Sequence, residues 1–177
     1  MKYVVASDIH GSITYLEKLL KRFEQEQAEQ LILLGDLYYH GPRNPLPEGY
    51  NPMEVAKTLN KAKDYIYVIK GNCDAEVDEM ISEFSFNQGL ELNINNKNIY
   101  FTHGHKYNED NIKENTDVLI YGHFHTGFIK EKNNQVFINV GSITLPKNNT
   151  AHSYLVIEGN NLTLKDLEGN LIDSIKI

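Results

Sequence analysis

Five short apolar runs in this chain each end in a residue that can hold a metal ion or a proton, and that pairing constrains the fold more than any other feature. Tyr3-Val4-Val5-Ala6 leads into Asp8-Ile9-His10, Leu31-Ile32-Leu33-Leu34 into Gly35-Asp36, and Tyr67-Val68-Ile69 into Gly71-Asn72. Ile99-Tyr100-Phe101 leads into His103-Gly104-His105, and Val118-Leu119-Ile120 into Gly122-His123-Phe124-His125. Apolar runs of this length, rich in β-branched residues, read as strands. In open sheets of α/β character, ligands bind beyond the carboxyl ends of the strands, where loops from separate strands converge. The spacing therefore predicts one site, assembled from residues scattered between Asp8 and His125.

The intervening segments support an α/β class. A helix is expected near Thr14 to Glu26, where Leu16, Leu19, Leu20 and Phe23 recur at helical spacing and Glu17, Lys18, Lys21 and Arg22 take the other face. Such a stripe lies on a sheet and belongs to the core. A second helix is expected near Met53 to Lys61, ahead of a strand at Tyr65 to Ile69. After Phe84 the texture changes to strands joined by tight turns: Leu90 to Ile94, the turn Asn95-Asn96-Lys97, Asn98 to Thr102, Val118 to Tyr121, Phe128 to Lys132, Gln135 to Asn139, Ser153 to Glu158 and Leu162 to Leu167. Two packed sheets follow. Short helices are expected over Glu76 to Phe84 and Asp110 to Asn115. Tyr38 to Pro52 is the one long irregular loop, stiffened by Pro42, Pro45 and Pro47, and loops of this kind often form lids or binding edges.

With 177 residues the chain has the length of a single domain spanning 1–177, able to bury about two-thirds of its unfolded surface. A net charge of −7 and a hydrophobic share of 41% exclude a disordered chain and a basic nucleic-acid-coating protein. No stable nucleic-acid binding is expected, and a polyanion would have to be held locally. No run approaches the roughly 18 apolar residues of a membrane span, and the first residues reach Ser7-Asp8 too soon for a signal peptide. A cytoplasmic protein without membrane contact is the expectation. Cys73 is the only cysteine, which excludes an internal disulfide and a Cys-based zinc knuckle. Any metal is expected on His, Asp, Glu or Asn.

Asp8, His10, Asp36, Asn72, His103, His123 and His125 form an oxygen and imidazole donor set, suited to Mn, Fe, Zn, Ni or Co and too rich in nitrogen for a preference toward Ca or Mg. Seven ligands are too many for one ion. Two ions sharing one bridging carboxylate account for all of them. Asp8-Ile9-His10 and His123-Phe124-His125 suit chelation if extended, because side chains i and i+2 then share a side, leaving Ile9 and Phe124 to enter the core. Glycines at 11, 35, 71, 104 and 122 permit tight turns and close backbone approach.

Asp8-x-His10, Gly35-Asp36, Gly71-Asn72-x-Asp74, His103 and Gly122-His123-x-His125, in this order, resemble the motif set of the calcineurin-like metallophosphoesterases. Asn72-Cys73-Asp74 and the loop from His40 to Tyr50 are similar to the small bacterial YfcE-type phosphodiesterases. The resemblance implies a four-layer α/β sandwich, two packed mixed sheets flanked by helices, with a dinuclear centre at one end. It implies that Asp8, His10, Asp36 and His125 hold one divalent ion and Asp36, Asn72, His103 and His123 the other, with Asp36 as bridge. Manganese is the first expectation for both ions. The implied reaction is hydrolysis of a small phosphoester by a hydroxide bridging the two ions, with diesters preferred over monoesters. The same fold also allows a phosphomonoesterase acting on a small metabolite or a phosphoprotein, or a metal-binding scaffold without catalysis, since the small retromer scaffold subunit shares this architecture.

Where many superfamily members carry a histidine after the asparagine, this chain has Cys73, so the usual leaving-group acid is absent. A thiol is a weak donor, and substrates with good leaving groups are expected. Besides Asp36 and Asn72, the catalytic candidates are Cys73, Asp74 and His105, with Asp74 orienting a neighbour or binding a backbone amide. Arg43, one of only two arginines, is the substrate candidate, because its planar donor fork suits phosphate as well as it suits a loop-anchoring salt bridge. His40 and His152 lack a motif partner and read as surface residues. Asn139-Val140-Gly141-Ser142 reads as a turn. Tyr38, Tyr39 and Tyr50 are expected to pack the long loop down or line a substrate mouth. Edge strands in two sheets make a homo-oligomer plausible.

Overall fold

Alternation along the strands builds the layers. The computed structural model describes residues 1–177. In chain order the elements are β1 (Lys2–Ala6), α1 (Ile13–Gln25), β2 (Gln30–Leu33), α2 (Pro52–Lys61), β3 (Ile66–Ile69), α3 (Glu76–Ile81), β4 (Phe86–Asn87), β5 (Leu90–Ile94), β6 (Lys97–Phe101), β7 (Val118–Tyr121), β8 (Phe128–Lys132), β9 (Gln135–Asn139), β10 (Ser153–Glu158), β11 (Asn161–Asp166) and β12 (Leu171–Lys176). Val4, Ala6, Leu31, Leu33 and Val68 face one way and meet Leu16 and Leu19 of α1 and Val55, Ala56 and Leu59 of α2. Their neighbours Val5, Ile32, Leu34 and Ile69 face the other way, against Ile99, Phe101, Val118, Ile120 and Ile138 of a second sheet. Period-two strands with both faces buried carry apolar residues at nearly every position, which is why these runs are continuous in the sequence.

The first sheet has seven strands in the order β12-β11-β10-β1-β2-β3-β4, with β1, β2, β3 and β4 parallel and β10, β11 and β12 joined antiparallel. The second has five, β5-β6-β7-β9-β8, with β6, β7 and β9 parallel. Two packed mixed sheets with flanking helices are the architecture expected from the sequence. Ser12 caps α1, its Oγ accepting from the Tyr15 amide at 3.3 Å. Asn51 caps α2 and Pro52 opens it, where a missing N–H costs no helical bond. No helix is long and apolar enough to cross a membrane.

Three features depart from the sequence reading. Asp110 to Asn115 is not a helix: the Asn108 side chain accepts from the Asp110 amide at 2.9 Å and Asn111 donates to the Lys106 carbonyl at 2.7 Å, so side-chain bonds hold turns that a helix would have to break. This irregular segment brings Tyr107 and Ile112 over Tyr100, Leu119, Tyr121 and Phe137, covering the outer face of the second sheet. The strands β4 and β12 were not foreseen, since β4 has two residues and β12 exposes Leu171 and Ile172 at a sheet edge. Leu155, fully buried between the sheets, tests the packing. Leu155→Ala is expected to cost about 2–5 kcal/mol, read as a lower urea midpoint with an unchanged slope.

Candidate metal centre

The carboxyl ends of β1, β2, β3, β6 and β7 converge, and the loops that follow them are bonded to one another through the backbone. The Asp8 amide donates to the Gly35 carbonyl at 3.1 Å, His10 to Asp36 at 2.9 Å and Gly122 to His103 at 2.9 Å. The junctions are too tight for side chains. A Cβ on Gly35 would lie 2.4 Å from the Gly71 nitrogen, and one on Gly122 would lie 2.1 Å from Ser7 Oγ. Asp8, His10, Asp36, His123 and His125 all have positive φ, between 49° and 65°, in the left-handed region that non-glycine residues seldom occupy.

Those dihedrals replace the extended chelate expected at the two His-containing tripeptides. His123 and His125 serve different ends of the cluster: His125 Nε2 lies 3.1 Å from His10 Nε2, whereas His123 Nδ1 lies 3.3 Å from His103 Nε2. Ile9 enters the core as anticipated, but Phe124 does not and is 45% exposed, because the left-handed turns on either side of it direct the ring to the surface.

Three imidazoles are held in the same way. Nδ1 of His10, His103 and His125 each lies 2.7 Å from a backbone carbonyl, those of Tyr39, Leu34 and Leu145 respectively. A carbonyl can only accept, so Nδ1 carries a proton, and when the ring is neutral it is the Nε2 lone pair that faces inward. The two carboxylates repeat this division. Asp8 Oδ2 accepts from the His123 amide at 3.0 Å, and Asp36 Oδ1 accepts from the Cys73 amide at 2.8 Å, leaving one oxygen of each for the cluster. Asp8 Oδ1 is buried without a hydrogen-bond partner. Two ring nitrogens facing each other at 3.1 Å beside a half-bonded buried carboxylate need positive charge between them, which a proton or a metal ion can supply.

Asp36 Oδ2 lies between donors on two sides. Asp8 Oδ1 lies 3.4 Å from His10 Nε2 and 3.1 Å from His125 Nε2, and Asp36 Oδ2 lies 3.8 Å from His10 Nε2. On the other side, Asp36 Oδ2 lies 3.5 Å from His103 Nε2, which lies 3.0 Å from Asn72 Oδ1. Asp8, His10 and His125 therefore meet as one buried group and Asp8, Asp36 and His103 as an adjoining one. Oxygen and imidazole donors in two overlapping groups fit a pair of divalent ions.

The electrostatics point the same way. Burial pulls against a charged His103, yet the Asp36 and Asp8 carboxylates push it up to about 9. Burial would raise the Asp8 carboxyl, but His10 and His125 hold it well below the usual carboxylate range. Burial and the neighbouring His103 hold His123 down, to about 4. The carboxylates thus draw positive charge into a cluster that has no lysine or arginine to supply it.

Asp74 does not face the cluster. Its Oδ2 accepts from the amides of Asp36 at 2.8 Å and Gly71 at 2.7 Å, and its Oδ1 from Leu37 at 2.8 Å, so it fixes the turn that carries Asp36. Cys73 Sγ lies within ligand distance of His10 and Asp36 donors, a juxtaposition the sequence reading missed because it set sulfur aside. Burial and the Asp36 carboxylate push that thiol up to about 12. His105 is exposed, its ring 5.4 Å from that of His103. The anticipated turn at Asn139 to Ser142 supports the cluster from beneath, with Ser142 Oγ donating to the Asp8 carbonyl at 2.8 Å.

A cleft of about 700 Å³ opens above the donors, lined by Tyr39, Arg43, Asn44, Cys73, Phe124 and Lys147 among others. Arg43 is exposed and makes no salt bridge, which removes the loop-anchoring role. Lys147 was not singled out from the sequence, since nothing there ties it to a motif. Tyr38 and Tyr50 pack the long loop down: the Tyr38 hydroxyl bonds Ser82 at 2.6 Å, and the Tyr50 ring lies against Gly11. His40 is not a free surface residue but sits edge-on between the rings of Tyr39 and Tyr50. His152 is half-buried and stacks on Tyr15 at 4.4 Å.

Residues 1–161 match the family model described as the calcineurin-like phosphoesterase superfamily domain. The chain is 37% identical over 167 residues to the phosphodiesterase YfcE of Escherichia coli strain K12, covering 93% of this chain and 91% of that protein. The solved structure of YfcE, a phosphoesterase from E. coli, superposes with a TM-score of 0.95 at 35% identity over the whole of both chains. Vps29 of Chaetomium thermophilum shares the fold alone, with a TM-score of 0.65 at 19% identity over 100% of this chain and 97% of that one. The chain belongs to the calcineurin-like phosphoesterase superfamily and is closely related to the bacterial YfcE-type phosphodiesterases.

Proposed function

We propose that this protein is a cytoplasmic, manganese-dependent phosphodiesterase acting on a small substrate. The observation that carries the reading is two adjoining donor groups, Asp8 with His10 and His125 and Asp8 with Asp36 and His103, whose Nε2 atoms and half-bonded carboxylates are aimed at one volume below an open cleft. Asp8, His10, Asp36 and His125 hold one ion; Asp36, Asn72, His103 and His123 hold the other. Against two carboxylates, two divalent ions leave a net charge of about +2, enough to attract a phosphate anion to a protein of charge −7. When bound, such ions supply Lewis acidity toward a phosphoryl oxygen and an activated water.

The chain's own residues set the geometry. The carbonyls of Tyr39, Leu34 and Leu145 orient three rings, and Asp74 keeps the Asp36 turn closed. Asn72 takes part through its neutral carbonyl, which adds a donor without cancelling charge. The diester preference rests on two supports. Cys73 occupies the position next to Asn72 where many superfamily members carry a histidine, and a thiol is a weak donor toward an alkoxide leaving group. The relative at 37% identity is named a phosphodiesterase.

Chelator-stripped protein is expected to bind two equivalents of Mn²⁺ by calorimetry, and Asp36→Asn at most one. At a hundred times the dissociation constant, metal is expected to add about 2.7 kcal/mol to stability, visible as a higher unfolding midpoint. The manganese-loaded protein is expected to hydrolyse bis-p-nitrophenyl phosphate at least about tenfold faster than p-nitrophenyl phosphate, with turnover lost in Asp36→Asn. A monoester preference would make it a phosphatase with His105 as the candidate acid. Absence of turnover with Mn, Zn, Fe, Ni or Co would leave the scaffold reading.

A further inference from the structure

Outside the ligand residues, the charged side chains lining the cleft are Arg43 and Lys147, both cationic. Each is exposed and neither makes a salt bridge, in a chain with 24 acidic residues against 17 basic ones. What sets these two cations apart is their place, both at the cleft that opens over the donor cluster.

Both are fixed to the same side of the donor cluster. Lys147 donates its amide to the carbonyl of His125 at 2.8 Å, and its own carbonyl accepts from the Thr150 amide at 3.0 Å, closing a tight turn. Arg43 follows Tyr39, whose carbonyl accepts from His10 Nδ1, and lies in a turn held by Asn44 Nδ2 on the His40 carbonyl at 2.7 Å. The two cations therefore flank the His10 and His125 side. The donors themselves are buried, with His10 1% and His125 3% exposed, whereas Arg43 and Lys147 are exposed, so the cations lie nearer the mouth of the cleft than the donors do.

We infer that Arg43 and Lys147 form a subsite for a second anionic group, and that the preferred substrate is a phosphodiester carrying an additional phosphoryl group. This rests on the diesterase reading above. A simple diester brings one negative charge, which the metal-loaded centre already answers, and leaves both rim cations unmatched. A second phosphate matches them: the guanidinium offers a bidentate fork and the ammonium a point charge. Tyr39 and Phe124, exposed by 43% and 45%, supply ring faces for the organic part of the same molecule.

The test compares the p-nitrophenyl ester of thymidine 5′-phosphate with the same ester bearing a 3′-phosphate, so that the leaving group is constant. Manganese-loaded wild type is expected to prefer the 3′-phosphorylated ester by about tenfold in kcat/KM at low ionic strength, falling as salt rises. Arg43→Ala and Lys147→Ala should each reduce that ratio by a few-fold, Lys147→Glu should bring it below one, and Lys147→Arg should restore it. Calorimetry of thymidine 3′,5′-bisphosphate against thymidine 5′-monophosphate gives a readout independent of turnover, with the same gap expected in wild type and lost in the double alanine variant. Hydrolysis of both esters without preference, together with equal affinities, overturns the subsite and leaves the diesterase reading standing. Failure to hydrolyse either ester overturns the diesterase reading, and the affinity gap then decides the subsite alone.

Discussion

Three hydrogen bonds from imidazole Nδ1 to backbone carbonyls set the terms for the rest of this structure. Each fixes a tautomer, and together they turn His10, His103 and His125 from ambivalent acids and bases into lone-pair donors with one direction. The carbonyls of Leu34 and Tyr39 belong to the one segment after β2 and that of Leu145 lies far along the chain, so the donor set exists only when the loops after β2 and near Leu145 are already in place. Folding and metal affinity are coupled through these bonds.

The cost of this arrangement is carried by the backbone. Five ligand residues sit at positive φ, and conformations of that kind persist only where the surroundings over-determine them. Here the surroundings are identifiable. Asp74 binds three amides of the Asp36 turn and the adjoining loop, Ser142 and Thr144 bind the carbonyls of Asp8 and Ile9, and Asn139 binds the carbonyl of Gly122. These polar groups are buried and bonded, and beneath them lies the apolar layer between the two sheets. The site is thus built on rigid strand ends, with the variable chemistry of the rim left to the 38–52 loop and the turn at Lys147.

The charge distribution separates two tasks. The acidic surface has no general attraction for anions, whereas the two divalent ions proposed for the donor cluster would outweigh its two carboxylates and make a small positive focus. Arg43 and Lys147 extend that focus toward one side of the cleft. In the function proposed above, a metal cluster would read only a phosphoryl group, and discrimination between substrates would fall to the placement of a few charges at the rim.

The donor cluster was legible in the sequence because donors placed at strand ends leave a local signature: an apolar run, then within a few residues Asp, Asn or His, with a glycine just before the donor after β2, β3 and β7. The layers were legible for the same reason, since strands buried on both faces cannot hide their composition. What the sequence did not decide was direction. It could not show that His123 and His125 turn to opposite ends of the cluster, because the left-handed backbone that separates them is imposed by contacts with Asp8, His103 and Leu145. The Asp110 to Asn115 segment, expected as a short helix, takes turns through asparagine bonds whose partners a periodicity cannot register. Lys147 lies in no motif, and its place at the cleft follows from one amide bond to His125. Residue type and spacing determined which chemistry this chain can support. Tertiary structure decided where each donor points, because orientation is fixed by hydrogen bonds between segments that only the packed sheets bring together.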